Sequence, residues 1–443
     1  MGKKSNSNHE NSNSNNPSNE TNTSSANKTS DLNEDNESQS APEMTTEDIT
    51  LKIMLPWDDD MFEDYIKDDV EKEFSNITVE LISETVDAEG FDEVFAQKDV
   101  PDIVLAHNGY DVLKEYDMAF PLDDLIKENN YDLDRFRDGL IDIARSRDPY
   151  GEDQLYGLPF EDMLLGLFYN PEVFDLFGVD YPEDGMTWDE VLELARQVSS
   201  EKNGTTYRGL TFATSWHYSL PLSQLSVHGT DPETGEVQFD KNDDFTEYLK
   251  LIDRISSLPG NEEGIVGGFG EGDIAMTLNH LTAIPSYADV DGLDFKIVSF
   301  PVWPDLPDAA PYKFIGQTLA ISPHSEYKQE AFKVIEYLTS PEKQTKNARV
   351  GRLSTLKDPA IMEEFLAEDY PNNDFNVEGA LSITPAAPPV YTKWGPEIQL
   401  NPNDFYSNEL TVDFLESDND PVTAIREAAE AYQAIVEEMK QSN

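Results

Sequence analysis

Residues 49–82 read ITLKIMLPWDDDMFEDYIKDDVEKEFSNITVELI, and this stretch decides the fold class. Ile49–Ile53 predicts a strand. Phe62, Tyr65, Ile66, Val70 and Phe74 then recur at helical spacing. Ile77–Ile82 is β-branched and predicts a second strand. Pro101-Asp-Ile-Val-Leu-Ala106 predicts a third, buried strand, with short helices at 91–97 and 112–116. Such alternation implies parallel strands joined by crossover helices: an α/β fold, a mostly parallel sheet flanked by helices. Ligands of open parallel sheets bind beyond the carboxyl ends of the strands. Trp57, Asp58 and Asp59 follow the first strand and His107 and Asn108 the third, so one rim collects an indole, two carboxylates, an imidazole and an amide. That set suits a polyhydroxyl ligand, whose C–H faces stack on aromatics while its hydroxyls pair with Asp and Asn. The same residues also fit a plainer role, with Asp58 and Asp59 capping the next helix and Trp57 packed on the core.

Further along, helices carry their own start signals. Thr187-Trp-Asp-Glu190 is a capping box before Val191–Val198. Ser325 is expected to cap 326–338, and Ser340-Pro341 and Asp420-Pro421 each put proline at a first helical position. No repeat at a fixed period is visible.

Composition sets the outer limits. The 443 residues hold 89 Asp+Glu against 31 Lys+Arg, a net charge of −58. Nucleic-acid binding needs a basic stripe and is excluded, and an anionic membrane surface would repel this chain. Carboxylates spread so evenly speak of a salty or alkaline habitat rather than of a site. With no cysteine there is no disulfide, thiolate metal site or cysteine nucleophile. The apolar run 163–169 is among the longest and falls far short of the roughly 20 residues of a membrane span.

Residues 1–48 hold 11 Asn, 10 Ser and no aromatic, which predicts a disordered tether. The opening Met1-Gly-Lys-Lys-Ser5 resembles the start of a mature bacterial lipoprotein whose lipidated cysteine is replaced by Met1. An extracellular, lipid-anchored protein at the membrane face is the expectation.

Five segments in order then resemble one family. They are Pro101-Asp-Ile-Val104 with Pro121-Leu-Asp-Asp-Leu-Ile126; Tyr156-Gly-Leu-Pro159 through Leu167-Phe-Tyr-Asn170 and Val173–Gly178 to Thr187-Trp-Asp-Glu190; Phe269–Met276; Gly316-Gln-Thr-Leu-Ala-Ile321; and Glu330–Leu338. Together they are similar to the extracellular solute-binding proteins of ABC importers, family 1, the maltose-binding-protein-like group. The resemblance implies a two-lobed periplasmic-binding-protein-like fold (type II) whose lobes close over a ligand by hinge motion. Residues 49–157 and 294–340 would form one lobe, and 158–293 and 341–443 the other. It also implies a carbohydrate ligand, handover to ABC permease subunits, a monomer, and no cofactor, resident metal or enzymatic step. Ligand contacts carried over are Trp57, Asp58, His107 and Asn108; Glu161; Trp216, His217 and Tyr218; Asn279 and His280; Arg352; and Tyr391 and Trp394, with Asp59 beside them.

Among the tryptophans, Trp188 in its capping box and Trp303 between prolines read as structural, whereas Trp57, Trp216 and Trp394 read as stacking platforms. The glycines of 267–272 fit no phosphate-loop spacing, and Asp289–Gly292 is too short for a calcium loop. Two other readings stay open. Asp58, Asp59 and Glu161 could begin a cage for a polyamine-like cation, and a pair of acids could serve a carbohydrate-active enzyme; no nucleophile elbow, zinc motif or triad supports the latter.

Overall fold

A computed structural model describes residues 43–106, 110–312, 317–371, 374–389, 394 and 405–442. Nine strands build its two main sheets: β1 (Ile49–Met54), β2 (Ile77–Ile82), β3 (Ile103–Ala106), β4 (Gly157–Glu161), β5 (Leu165–Tyr169), β6 (Thr211–Phe212), β7 (Met276–His280), β8 (Lys296–Ser299) and β9 (Gln317–Ile321). The first sheet has the order β2-β1-β3-β9-β4, and the second β8-β5-β7-β6.

Alternation along each strand explains why both faces are covered. In the first sheet Leu51, Ile53, Ile103, Leu105, Leu319 and Ile321 enter one core. Met54, Val104, Ala106 and Ala320, their neighbours in sequence, enter another on the opposite face. The second sheet divides likewise, with Leu165, Leu167, Leu278 and Val298 on one side and Phe168 and Ile297 on the other. Each fully buried Leu or Ile contributes about 2 kcal/mol from area removed from water.

The expected helix after β1 runs Asp59–Phe62, relaxes into a π-turn over Glu63–Lys67 and resumes over Asp68–Glu73. The capping box at Thr187–Glu190 forms as read and starts the helix Trp188–Val198. Gly209, ahead of β6, passes so close to that helix that a Cβ would lie 2.1 Å from the Ala195 carbonyl oxygen. Ser340 caps Pro341–Arg349 through the Lys343 N–H. Asp420 accepts from Val422 and Thr423 at the head of Pro421–Ser442.

Several expectations need correction. β1, β2 and β3 are parallel, but β9 is antiparallel to both β3 and β4. In the second sheet only β6 and β7 run parallel, so a mostly parallel sheet does not describe it. The stretch 294–340 is divided between sheets: Lys296–Ser299 pairs with β5, while Gln317–Ile321 pairs inside the first sheet. The helix Pro341–Arg349, expected with the second lobe, instead buries Ala348 in the first core and binds Asp69 through Lys343. Ser325 accepts from the Tyr327 N–H, but the helix starts only at Lys328. Of the expected tether, 43–48 lies against the folded body. Met44 packs on the first core, Thr45 N–H donates to Glu330, and Asn76 donates to the Thr45 and Glu47 carbonyls. Residues 1–42 lie outside the described residues.

Candidate functional site

Strand direction places one rim on each sheet. Because β4 runs parallel to β1 and β3, the carboxyl ends of these three strands share an edge with the amino end of β9. Trp57 follows β1 there, Glu161 ends β4 and Gln317 begins β9. In the second sheet the carboxyl ends of β6, β7 and β8 share an edge with the amino end of β5. Thr214–Tyr218 follow β6, and Asn279 and His280 end β7. The three residues 162–164 join the end of β4 to the start of β5, which bounds the Glu161–Leu165 separation at about 14 Å. The two rims therefore meet along this link. Asp162 N–H donates to the Leu353 carbonyl and Leu281 N–H to the Leu164 carbonyl, both at 2.9 Å, pinning the link from each side.

On the first rim Trp57, Glu161 and Arg352 come together. Arg352 donates to the Glu161 carboxylate at 2.7 Å. Its guanidinium lies 4.3 Å from the Trp57 ring centroid and 4.2 Å from that of Tyr65. Trp57 is only 6% exposed and also meets Tyr65 edge-on and Phe160 at a tilt. Its indole is thus covered by Arg352 and neighbouring rings rather than open to a ligand. Burial pushes the Glu161 carboxyl above its ordinary value, against the pull of Arg352. Beside it Asp162 pairs with Arg137, and burial lowers that guanidinium to about 10.

Trp216 stands out on the second rim, 49% exposed on the short turn Ser215–His217. His217 and His280 sit edge to face behind it, ring centroids 4.8 Å apart. Burial first, then the neighbouring His217, hold His280 down to about 3, so it is neutral. Asn279 donates to the Tyr287 hydroxyl at 2.8 Å. Tyr218 is buried against Phe212, and its carbonyl accepts from the Tyr248 hydroxyl.

The remaining candidates fall elsewhere. Asp58 is the N-cap of the helix after β1, accepting from Met61 N–H at 2.8 Å, and Asp59 is exposed in that helix's first turn. Trp394 packs on the core that Leu165, Leu167 and Leu278 of the second sheet enter, against Gly235 and under the Lys440 ammonium. Nothing brings it to Trp57, which belongs to the first core. His107, Asn108 and Tyr391 lie outside the described residues. Sequence reasoning missed Tyr65, Gln317, Arg137 and Asp162. Gln317 carried a usable signal, as a polar residue opening an apolar strand.

A cavity of about 710 Å³ lies elsewhere, between Trp188, Leu251, Arg254, Trp303 and Leu306, and none of the rim residues lines it. Among the described residues no group of three or more His, Asp or Glu is placed to hold a metal ion, and no helix is long and apolar enough to cross a membrane.

Solved structures share this architecture. The sugar-binding protein MalE of Xanthomonas citri superposes with a TM-score of 0.69 at 18% identity, covering 89% of this chain and 98% of that one. An ABC substrate-binding protein of Listeria monocytogenes, in complex with cycloalternan, gives 0.65 at 16% identity, over 87% and 98%. A cyclic α-maltosyl-1,6-maltose binding protein of Arthrobacter globiformis gives 0.64 at 16% identity, over 88% and 99%. These likenesses establish the two-lobed periplasmic-binding-protein-like fold. The model of the bacterial extracellular solute-binding protein family matches residues 58–345, about two thirds of the chain, and to that family this protein belongs.

Proposed function

We propose that this protein captures an uncharged carbohydrate, an oligosaccharide in particular, between its two rims and hands it unaltered to the permease of an ABC importer. One observation carries the reading: the exposed Trp216 lies on a rim that a three-residue link joins to a first rim where Arg352, Glu161 and Gln317 gather polar groups. An indole for the sugar's C–H face and hydrogen-bonding side chains for its hydroxyls are what such a ligand needs. The cycloalternan complex of the Listeria protein and the cyclic α-maltosyl-1,6-maltose binding protein of Arthrobacter support the same reading. A cationic ligand is disfavoured, because Glu161 and Asp162 each already face an arginine.

We divide the lobes by their sheets: 49–161 with 317–349 in the first, and 165–299 with 405–442 in the second. Closure then turns on the link 162–164. The Asn- and Ser-rich start of the chain supports a tether from a lipid anchor, the protein otherwise standing as a monomer outside the membrane. An upstream signal peptide followed by a cysteine in the gene is the check on that anchor.

A thermal-shift screen against neutral glycans is the direct test. Ligand at a hundred times its dissociation constant adds about 2.7 kcal/mol. Trp216→Ala is expected to weaken binding of any hit at least tenfold, about 1.4 kcal/mol, by calorimetry. Unchanged affinity would move the site away from this rim. After prolonged incubation, chromatography should return the glycan intact; new shorter products would make the protein an enzyme.

A further inference from the structure

We propose that Gln317 is a ligand-contacting, specificity-determining residue of the cleft, its side-chain Oε1 accepting a sugar hydroxyl beside the Nε–H of Arg352. This rests on the carbohydrate reading above.

Gln317 opens β9 at the first rim and stands opposite Glu161 in register. One residue on, Thr318 stands opposite Pro159, so β4 carries one extra residue, Phe160, at this point. Such bulges re-aim side chains and are common beside functional sites. Here Phe160 turns into the core against Trp57, and Glu161 is presented to Arg352. The Oε1 of Gln317 is buried yet meets no hydrogen-bond donor, and the Nε of Arg352 is buried yet meets no acceptor. Native proteins seldom leave such groups unmet, because each loses water and gains nothing. Among the described residues, the first rim thus holds a spare acceptor and a spare donor around one ion pair.

A hydroxyl is both donor and acceptor and can serve either group. A carboxylate could accept from the Nε–H but has no proton for Oε1, and the charges of the arginines here are already matched by Glu161 and Asp162. The arrangement therefore suits a ligand that brings a hydroxyl to Oε1.

Calorimetry with maltotriose, mannotriose and xylotriose as probes tests this on the full chain, with thermal unfolding of each variant recorded without sugar. For the trisaccharide that the wild type binds, Gln317→Leu should weaken affinity about tenfold or more, while its ligand-free melting temperature stays level or rises. Gln317→Glu, which keeps an acceptor, should retain most of the affinity. Unchanged binding by Gln317→Leu, alongside loss in Trp216→Ala, overturns the role of Gln317 and leaves the carbohydrate reading standing. A lower ligand-free melting temperature with unchanged affinity likewise overturns it, making the amide structural. If the wild type binds none of the three, the probe is the best hit of the glycan screen; if that screen also yields no hit, the carbohydrate reading falls and this inference with it.

Discussion

Asp69→Ala should destabilise the protein by about 3–5 kcal/mol in urea unfolding at pH 7, the usual cost of stripping a buried charge of its partner. The ammonium stranded is that of Lys343, whose side chain is 1% exposed and bonds to Asp69. Lys346 reaches the same carboxylate from a more exposed position, at 2.7 Å. Burial raises the Asp69 carboxyl, but hydrogen bonds from the two lysines outweigh it and hold the group below its ordinary value. An acid lowered in the folded state contributes stability in full above its unfolded pKa, near 3.9, and loses it as pH falls through the folded value. The gap between wild type and variant should therefore be constant above about pH 5 and narrow below about pH 4. Asp69→Leu combined with Lys343→Met should recover much of the loss, since an apolar pair carries no desolvation cost. A deficit under 1 kcal/mol in Asp69→Ala would mean that the Lys343 ammonium reaches water after all.

Arg352→Ala should cost about 3 kcal/mol at pH 8, and visibly less at pH 5. The guanidinium neutralises Glu161 and fills the space between Trp57 and Tyr65. Without it nothing opposes the burial that already raises the Glu161 carboxyl, so that group takes up a proton at mildly acid pH. An acid raised in the folded state favours folding below its folded pKa, and the advantage fades as pH rises through it. The variant should thus lose stability from pH 5 to pH 8, where the wild type is less affected. Arg352→Lys keeps the charge but not the flat stacked fork, and should recover only part of the loss. Thermal unfolding at the two pH values decides the matter. A deficit equal at both would assign Arg352 to packing alone.

Much of this architecture was legible because it is local. Ile49–Ile53 and Ile77–Ile82 declare strands by side-chain type, and Thr187, Ser340 and Asp420 declare helix starts by a single oxygen. Strand direction was not legible, because parallel and antiparallel strands share the same two-residue period. Nothing within 165–169 or 296–299 announces that they pair head to tail. The rim was half legible. Position after a strand end brought Trp57 to the edge, where β1 places it, while Glu161 and Arg352 came only from the family resemblance. That Arg352 would cover the Trp57 ring depends on a contact between distant parts of the chain, which no local pattern encodes. Asp58 illustrates the same limit: a carboxylate beside a strand end serves a cap or a ligand equally well, and here the Met61 N–H claims it.

The place of β9 has a consequence for how the molecule comes into being. That strand, residues 317–321, is wedged between β3 and β4, which are made far earlier. A nascent chain leaving the ribosome can pair β1 with β2 and β3, but β4 has no neighbour in that sheet until residue 321 has been synthesised. Closing such a distant strand into the middle of a sheet is slow, because the loop entropy must be met before the new contacts form. The first body to begin folding therefore cannot close its sheet until the intervening strands of the second, residues 165–299, have been made.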